Sequence, residues 1–515
     1  MLNPLVRAIA VAAPLPSLGD NTGDLDRLKK VLAPQLDGVM PVVPYHRLSK
    51  VAGRFRAAGF TGAAIINEMS GSSVLVDFLP QPPPVLAGMA LDLGTTHLEA
   101  TLLDLATGAV LAGADLENGQ IRYGADILTR IHHAAKGDGL AELHRAIIDS
   151  VNQLAAELAK ASGLAVSEIR ALSVSGNTSM VHFFLEINPY HLCREPYIPM
   201  VNAPDPCLAG ELKLTIHPAA PVWFLPSVGS YFGGDLISGV LASGLDRQEE
   251  TCMLIDVGTN AEVIVGNREW LIACAGAAGP ALEGGVARMG MRAGPGAIEH
   301  VRIDPVSGDI EYETIGNGKP RGLCGSGLID LVAELYLARL IDIRGKFRLG
   351  AAGDRLIQGS EGYRFVVVSG EDSADGRPVV LGQVDLDALM RSKAAMFAIL
   401  TTLTNQVGVA FADLHRIYVA GAFGRHISPR QAIVLGMLPD LPLEIYEPVG
   451  NSSLVGAQRI LLEREARERC LALVRKITYI ELNVNQEFML RFSGSRFIPH
   501  TDHGLFPSVP FFDGE

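Results

Sequence analysis

Two copies of one short pattern constrain the fold of this chain more than any other feature of its sequence. They are Asp92-Leu93-Gly94-Thr95-Thr96 and Asp256-Val257-Gly258-Thr259-Asn260, and each directly follows a short apolar run. Each copy is followed by another stretch of strand-forming residues, so each predicts a strand, a tight turn and a second strand. A pair of ordinary hairpin turns would share this pattern, but the repetition and the flanking strands favour a chain with two similar halves.

The composition of the two turns predicts that they bind phosphate. Glycine lets the backbone approach a phosphate closely, and successive N–H groups in such a turn form a concave anion site. Asp92 and Asp256 are anionic and cannot hold phosphate, so we expect each to hold a hydrated Mg²⁺ that bridges to the phosphates. A turn-stabilising role of the two aspartates is the alternative. The predicted phosphate ligands are Gly94, Thr95, Thr96, Gly258, Thr259 and Asn260.

Composition and charge exclude several other classes of function. The chain has 515 residues, of which 48% are hydrophobic, so we expect two to four domains with large cores. A net charge of −13 without a Lys/Arg cluster argues against nucleic acid or an anionic membrane as a partner. No apolar run reaches the roughly 18 residues of a membrane-spanning helix. The six cysteines include no C-x-x-C pair, which argues against a zinc site or a disulfide framework and favours reduced thiols in the cytoplasm.

Residues 1–85 are predicted to form a separate small α+β domain. They contain a helical pattern over 24–33, with Asp24 as a plausible N-cap. The domain ends in the stiff, extended linker Pro80-Gln-Pro-Pro-Pro84. The two phosphate turns divide the remainder into a first lobe at 86–250 and a second lobe with a C-terminal extension at 251–515.

Later segments complete the pattern of each lobe. In the first lobe, a strand predicted over 169–174 runs into Ser175-Gly-Asn-Thr-Ser179. In the second, a strand over 416–419 ends in the glycine-rich turn 420–424, and a helix is predicted over 451–465. This arrangement is similar to that of the sugar kinase, Hsp70 and actin superfamily. The resemblance implies an α/β, two-lobed ATPase fold, here preceded by the small α+β domain.

Five segments resemble the nucleotide site of that superfamily. The two turns resemble its phosphate loops, 175–179 its first connecting segment, 418–424 its adenosine motif and 451–457 its second connecting helix. Gly456 and Ala457 would allow this helix to pack closely against a neighbour. The resemblance implies that Mg-ATP is held between the lobes, and that their closing and opening couple hydrolysis to a rigid-body movement.

The same analogy assigns roles to individual side chains. Asn177 would orient the attacking water, and a helix N-cap is an equally good alternative. Glu262 would act as a base or as a partner of the magnesium shell, and a solvated strand residue is the alternative. A helix predicted over 280–289 would present Glu283 to the ribose. The other implied nucleotide contacts are Gly279, Gly421 and Gly424.

Longer stretches narrow the resemblance to the ATP-dependent reductive activators of corrinoid proteins. They include Asn118-x-Gln120 with Tyr123-Gly-Ala-Asp126, Gly176-Asn-Thr-Ser-Met180, Glu195-Pro-Tyr-x-Pro199, Ala277-Ala-Gly-Pro-Ala-Leu-Glu-Gly284 and Cys324-Gly-Ser-Gly-Leu-Ile-Asp330. In that family, ATP hydrolysis drives an uphill electron transfer that returns an inactive Co(II) corrinoid protein to Co(I). The resemblance also implies a homodimer.

The sequence departs from this family in its cysteines. Well-known members begin with a plant-type ferredoxin domain that holds a [2Fe–2S] cluster on four cysteines. This sequence has no cysteine before Cys193 and only Cys470 after Cys324, so it does not supply that ligand set. We therefore expect a separate low-potential donor such as a ferredoxin, or a member that transfers no electrons. A cluster shared across a dimer through Cys274 and Cys324, as in activators of 2-hydroxyacyl-CoA dehydratases, is disfavoured because no C-x-x-C pair is present.

Three functions follow from the sequence, in order of preference. The first is an ATPase that activates a corrinoid protein with electrons from an external donor. The second is a small-molecule kinase of the same fold, which a phosphorylated product would identify. The third is an ATP-binding partner module without a redox role, which nucleotide binding with negligible hydrolysis would identify.

Overall fold

The computed structural model describes residues 2–69, 72–258, 260–276, 287–291, 293–351, 353–359, 362–482 and 485–512. The chain forms two compact units: unit 1 comprises Met1–Ala242 with Ser453–Arg475, and unit 2 comprises Ser243–Ser452 with Lys476–Glu515. Most of the helix predicted over 280–289 lies outside the described residues. Among the helices in the described ranges, none combines the length and the apolar character needed to cross a membrane.

The strands and helices are numbered in chain order. The strands are β1 (Val6–Ala12), β2 (Thr61–Met69), β3 (Ser72–Leu79), β4 (Ala87–Leu93), β5 (His97–Asp104), β6 (Val110–Glu117), β7 (Ile169–Gly176), β8 (Cys207–Leu208), β9 (Pro221–Phe224), β10 (Cys252–Val257), β11 (Ala261–Gly266), β12 (Leu271–Gly276), β13 (Ala297–Ile303), β14 (Ile310–Thr314), β15 (Gly322–Leu323), β16 (Leu356–Gly359), β17 (Gly362–Val368), β18 (Val379–Gly382), β19 (Arg416–Ala420), β20 (Tyr446–Gly450) and β21 (Ile477–Ile480). The helices are α1 (Asp24–Leu32), α2 (Tyr45–Ala57), α3 (Ile127–Ala134), α4 (Gly139–Ser162), α5 (Thr178–Phe184), α6 (Gly234–Ser243), α7 (Gly325–Leu337), α8 (Gln383–Gln406), α9 (Gly421–His426), α10 (Pro429–Val434), α11 (Ser452–Leu462), α12 (Arg464–Lys476) and α13 (Gln486–Gly494).

An antiparallel sheet in the order β1-β2-β3 forms the N-terminal part of unit 1. Helices α1 and α2 pack on it around a core that includes Leu28, Phe55 and Phe78. The helix predicted over 24–33 is confirmed, but Asp24 is not its N-cap. Gly23 takes that position, and the Asp24 carboxylate accepts two hydrogen bonds from Arg56, at 2.7 and 2.8 Å.

Asp77 on β3 is the centre of a buried ion cluster in unit 1. Its side chain is 1% exposed, and Oδ1 lies 2.6 Å from Nη1 of Arg54. Its Oδ2 lies 3.7 Å from Arg47, 3.6 Å from Arg170 and 3.5 Å from the Nε2 of His217. Because Arg170 lies on β7, one carboxylate ties the N-terminal sheet to the larger sheet of the same unit.

Five strands of the six-stranded sheet in each unit repeat one topology, as the two turns predict, and the sixth strands, β8 and β21, lie at opposite ends. The strand order is β6-β5-β4-β7-β9-β8 in unit 1 and β20-β19-β10-β11-β12-β21 in unit 2. Each sheet contains three consecutive antiparallel strands, β4 to β6 or β10 to β12, and the first of them pairs in parallel with β7 or β19. A second parallel strand, β9 or β20, follows in each. Each phosphate turn therefore follows the carboxyl end of a central strand, which is where open α/β sheets bind ligands.

Helices cover the faces of these two sheets. In unit 1, α4 contributes Leu154 to a core that also contains Leu91 and Phe183. In unit 2, α8 packs on β11 and β12 around a core that includes Ile255 and Ile399, and α7 packs on β13 within the same core. Two smaller three-stranded sheets, β14-β13-β15 and β16-β17-β18, also belong to unit 2. The sheets and their helices hold each phosphate turn on a rigid support.

The segment Ser453–Arg475 belongs to unit 1, although the residues on both sides of it belong to unit 2. The backbone N–H of Asn3 donates to the carbonyl of Leu462 at 2.9 Å, and that of Leu5 donates to Leu461 at 2.8 Å. The buried guanidinium of Arg467 donates to the carbonyl of Asn3 at 3.0 Å. The helix predicted over 451–465 is observed as α11, and α12, which was not predicted, follows it. Residues of both helices bind the backbone at the start of the chain.

Gly456 on α11 lets this helix pack closely against α6. A Cβ atom added at Gly456 would lie 2.3 Å from Cβ of the buried Ser238. We expect Gly456→Ala to lower the free energy of unfolding of unit 1 by about 1–3 kcal/mol, because one helix must shift. Urea denaturation followed by the fluorescence of Trp223, in a Trp270→Phe background, measures this change.

Gly53 on α2 is the matched control for this substitution. It is also a helical glycine of unit 1, but a Cβ atom added there would meet nothing within 4 Å. Gly53→Ala is expected to raise the stability of the unit by about 0.5–1 kcal/mol, because alanine loses less backbone entropy on folding. Equal stability of Gly456→Ala and the unmodified protein would contradict the packing argument.

Candidate functional site

The first phosphate turn lies between β4 and β5 in unit 1. Asp92 is the next-to-last residue of β4, and both Asp92 and residues 94–96 are half-buried, so solvent reaches the turn. Asn118 donates from Nδ2 to the carbonyl of Gly94 at 3.0 Å and from its backbone N–H to the carbonyl of Thr96 at 2.9 Å. Asn118 therefore fixes the backbone of the turn at two points.

Asn177 joins the connecting segment to the first turn. Its Oδ1 accepts a hydrogen bond from the backbone N–H of Met180 at 3.0 Å, so the predicted N-cap is confirmed for α5. Its Nδ2 donates to the hydroxyl of Thr95 at 3.1 Å. The amide of Asn177 thus reaches the phosphate turn, and its role in orienting the attacking water stays a prediction.

A hydrogen bond from Ser453 to Asp92 has no counterpart among the sequence predictions. The hydroxyl of Ser453, on α11, donates to Oδ1 of Asp92 at 2.7 Å. The stretch 451–457 resembles a connecting helix, but nothing in its sequence indicates which of its side chains touches the aspartate. The two residues are separated by 361 positions in the chain.

The second phosphate turn lies between β10 and β11 in unit 2. Asp256 is the next-to-last residue of β10, as Asp92 is of β4. The backbone N–H of Gly258 donates to the carbonyl of Asn260 at 2.9 Å, which closes the turn. Thr259 lies outside the described residues, so its predicted contact with phosphate stays a prediction.

Gly421 brings the predicted adenosine motif next to Asp256. Strands β19 and β10 run parallel, with Ala420 beside Asp256, and Gly421 begins α9 immediately afterwards. The φ of Gly421 is +75°, and a Cβ atom added there would lie 2.8 Å from Oδ1 of Asp256. Any larger side chain would therefore press on this carboxylate. Gly424 lies in the same short helix, whereas Gly279 and Glu283 lie outside the described residues.

Each unit pairs its turn aspartate with a glutamate across the sheet. Asp92 lies opposite Glu99 in the antiparallel β4–β5 ladder, and Asp256 lies opposite Glu262 in the β10–β11 ladder. Residues opposite each other in such a ladder present their side chains on the same face, where two like charges repel. A divalent cation at either turn would relieve this repulsion. Glu99 was not a predicted site residue, although its position after the first turn is close to that of Glu262 after the second.

The cysteines do not form a candidate cluster site within the described residues. Cys274 and Cys324 are 0% and 2% exposed, so neither can ligate a cluster at a subunit surface in this conformation. Burial, followed by the charge of Glu262, raises the pKa of the Cys274 thiol, which disfavours the thiolate that metal binding needs. In the described ranges, no three His, Cys, Asp or Glu side chains are grouped as a metal site.

Three family models together match most of the chain. Residues 1–81 match the RACo linker region, 87–248 match the RACo middle region, and 250–510 match the C-terminal domain of RACo, which is described as the ASKHA domain. The last of these matches covers half of the chain. The fold class predicted from the two turns is thereby confirmed.

Known relatives agree with this assignment. The chain is 32% identical over 479 residues to the corrinoid activation enzyme RamQ of Eubacterium limosum, a match that covers 91% of this chain and 79% of RamQ. It is 25% identical over 430 residues to the [Co(II) methylated amine-specific corrinoid protein] reductase of Methanosarcina barkeri, covering 76% of this chain and 73% of that protein.

A solved structure of high similarity supports the same family assignment. The reductive activator for corrinoid, iron–sulfur protein superposes with a TM-score of 0.92 at 38% sequence identity, over 99% of this chain and 81% of that one. The duplicated sheets, the paired turns and the matches over all three regions have a single explanation. The chain belongs to the RACo family, the ATP-dependent reductive activators of corrinoid proteins.

Proposed function

We propose that this protein activates a corrinoid methyl-transfer protein by coupling ATP hydrolysis to the reduction of Co(II) to Co(I). The observation that carries this proposal is the 32% identity to a corrinoid activation enzyme over 91% of the chain. A second relative is named as a reductase of a Co(II) corrinoid protein. These names belong to those proteins, and the same chemistry is what we propose for this one.

ATP is the proposed energy source, and the residues of the two turns fit Mg-ATP. Turns with glycine, hydroxyl and amide donors suit phosphate oxygens, and carboxylates suit magnesium-bound water. We assign Asp92 in unit 1 and Asp256 in unit 2 as ligands of magnesium-bound water. When bound, the metal ion would offset the negative charge that accumulates on the phosphates during hydrolysis. The proposed phosphate and nucleotide contacts are Gly94, Thr95, Thr96, Gly258, Thr259, Asn260, Gly279, Glu283, Gly421 and Gly424.

Two further residues are proposed to act on water near the phosphates. Asn177 donates an amide hydrogen to Thr95, so a small rotation of its side chain would let the same group orient a water molecule. Glu262 lies opposite Asp256 and is half-buried, which suits a base or a partner of magnesium-bound water. Both residues are held by regular structure, the first as a helix cap and the second within a strand.

ATP is needed because electron transfer to Co(II) is unfavourable. For a one-electron step, each 59 mV of adverse potential is about a tenfold penalty, or roughly 1.4 kcal/mol. Moving a population from 1:99 to 99:1 takes about 5.5 kcal/mol of differential binding. A nucleotide-dependent change of the activator that favours the reducible corrinoid state would supply free energy of this size.

We propose that the electrons come from a separate low-potential donor such as a ferredoxin, and that the protein acts as a homodimer. The absence of a C-x-x-C pair among the six cysteines of the sequence supports an external donor. Two are half-buried, at Cys193 and Cys207, and the others are buried, at Cys252, Cys274, Cys324 and Cys470. The homodimer rests on the family resemblance alone.

Phosphate release tests the proposed coupling. The protein and Mg-ATP are incubated alone, with a Co(II) corrinoid protein from the same organism, and with the methylated Co(III) form of that protein. The proposal expects the Co(II) form to accelerate phosphate release and the methylated form to have a smaller effect. A phosphorylated small molecule in place of free phosphate would indicate a kinase. Nucleotide binding without hydrolysis in every sample would indicate a partner module.

A further inference from the structure

Three buried serines connect to the carboxylate of Asp92 inside unit 1. Ser453 Oγ lies 2.7 Å from Oδ1 of Asp92 and 2.8 Å from the hydroxyl of Ser175. Ser175 Oγ in turn lies 2.8 Å from the hydroxyl of Ser238. Ser175 and Ser238 are 0% exposed and Ser453 is 7% exposed, so the three hydroxyls are shielded from solvent.

The chemistry of the groups decides which hydroxyl donates and which accepts in this row, which consists of the three serines and the Asp92 carboxylate. An ionised carboxylate only accepts hydrogen bonds, so Ser453 must donate its single hydroxyl proton to Asp92. Ser453 then accepts from Ser175, because its own proton is already used. Ser175 accepts from Ser238 for the same reason. The row therefore runs Ser238 to Ser175 to Ser453 to Asp92, and hydrogen bonds in such a chain strengthen one another.

The three serines come from three different elements. Ser175 lies on β7 directly beside Asp92 on β4, Ser238 lies on α6, and Ser453 lies on α11. Ser453 is also the first residue of the segment by which the chain enters unit 1 for the second time. The hydrogen bond to Asp92 therefore comes from the residue at which that segment begins.

We propose that Ser453 is a positioning residue for Asp92, which holds the carboxylate in the rotation that Mg-nucleotide binding requires. This inference rests on the proposed role of Asp92 as a ligand of magnesium-bound water. A carboxylate with one oxygen held by a buried hydroxyl keeps one orientation, so it does not have to be ordered when the metal binds. Without the hydroxyl, Oδ1 of Asp92 loses this hydrogen bond and the contribution of magnesium to nucleotide binding falls.

Binding of a fluorescent ADP analogue, titrated with and without Mg²⁺, tests this proposal without reference to catalysis. For Ser453→Ala we expect the Mg²⁺-dependent gain in affinity to fall about tenfold, with the magnesium-free affinity unchanged. Ser453→Thr keeps the hydroxyl and is expected to keep most of the gain. The unchanged magnesium-free affinity also shows that each variant is folded.

Ser452→Ala is the matched control, one residue earlier in the same helix. The Ser452 side chain is 1% exposed, and within the described part of the chain its hydroxyl has no hydrogen-bond partner. This variant is expected to bind Mg-nucleotide like the unmodified protein. The same titration is made with Asp92→Asn, which sets the size of the effect when the carboxylate charge itself is lost.

Two results would overturn the proposal. The first is that Ser453→Ala keeps the full Mg²⁺-dependent gain in affinity for the ADP analogue, whereas Asp92→Asn loses this gain. The second is an equal loss in Ser453→Ala and Ser452→Ala, which would indicate a general disturbance of α11. The titration contains no corrinoid protein. Its result therefore does not depend on whether the protein reduces Co(II), and the two proposals can fail separately.

Discussion

Asp92→Asn is expected to lower Mg²⁺-dependent ATP hydrolysis by roughly 100- to 1000-fold, the size of effect seen when one preorganised electrostatic group is removed from an active site. Asparagine has the same shape and keeps an oxygen that accepts the hydrogen bond from Ser453, so unit 1 should stay folded. Only the negative charge that would hold magnesium-bound water is lost. Steady-state phosphate release at saturating Mg²⁺ measures the change.

The same substitution at Asp256 tests the second turn independently. Asp256→Asn should have an effect of similar size, because the two turns occupy equivalent positions in the repeated sheets. Asp115→Asn is the control, since Asp115 is an exposed carboxylate on β6 at the edge of the same sheet as Asp92. Full turnover in both Asp92→Asn and Asp256→Asn would refute the assignment of the site.

Asp77→Asn is expected to lower the free energy of unfolding of unit 1 by about 3–5 kcal/mol, the cost of leaving buried charges without their partner. Arg47 and Arg170 have side chains that are only 8% and 12% exposed, and both lie near the Asp77 carboxylate. The substitution removes the single negative charge at the centre of this cluster. Urea denaturation followed by Trp223 fluorescence in the Trp270→Phe background measures the loss.

The pH dependence of this effect follows from the pKa of Asp77. Burial alone would raise that pKa, but hydrogen bonding with His217 and the charge of Arg54 lower it below its ordinary value of 3.8. A carboxylate with a depressed pKa stabilises the folded state fully above its unfolded-state pKa and loses this contribution as the pH falls through its folded-state pKa. The difference between Asp77→Asn and the unmodified protein should therefore persist down to about pH 5 and shrink below about pH 4.

Asp24→Asn provides the control for charge removal in the same unit. Asp24 also pairs with an arginine, but the side chain of that partner, Arg56, is 63% exposed. Pairs that are open to solvent contribute at most about 1 kcal/mol, so the loss should be much smaller. If both substitutions had the same small effect, the buried cluster would not stabilise unit 1 in the way described.

The repeated turns could be predicted from sequence because their signal is local. Asp92 and Asp256 each follow an apolar run and precede a second strand, and a strand, its turn and the next strand are neighbours in the chain. The repetition then predicts two similar halves, and the strand orders confirm this for five strands of each sheet. The N-cap role of Asn177 is equally local, since its partner is only three residues away.

The contacts that position the site could not be predicted, because they join distant parts of the chain. Ser453 contacts Asp92 although the two residues are 361 positions apart in the chain, and nothing in the sequence around either residue indicates the other. The partners of Asp77 are likewise spread from Arg47 to His217. Such contacts follow only once the sheets have formed and the helices have packed on them.

Strand β1 and helix α12 were not predicted, for a different reason: the spacing of apolar residues in their sequences is a weak signal. Strand β1 is a short apolar run next to prolines, and its sequence shows no clear alternation of apolar and polar residues. Helix α12 is rich in arginine and glutamate, and these charges hide its few buried apolar positions, Ala466, Cys470 and Leu473. Both elements are stabilised by tertiary packing rather than by local periodicity.

The visible spectrum of the corrinoid cofactor tests the central claim most directly. A Co(II) corrinoid protein from the same organism is mixed with this protein and a low-potential reduced ferredoxin, with and without Mg-ATP. The account predicts that Co(I) appears only when Mg-ATP, the donor and this protein are all present, and that it fails to appear with Asp92→Asn. The account would be contradicted if no Co(I) formed although the two proteins bind, or if Co(I) formed equally well without ATP.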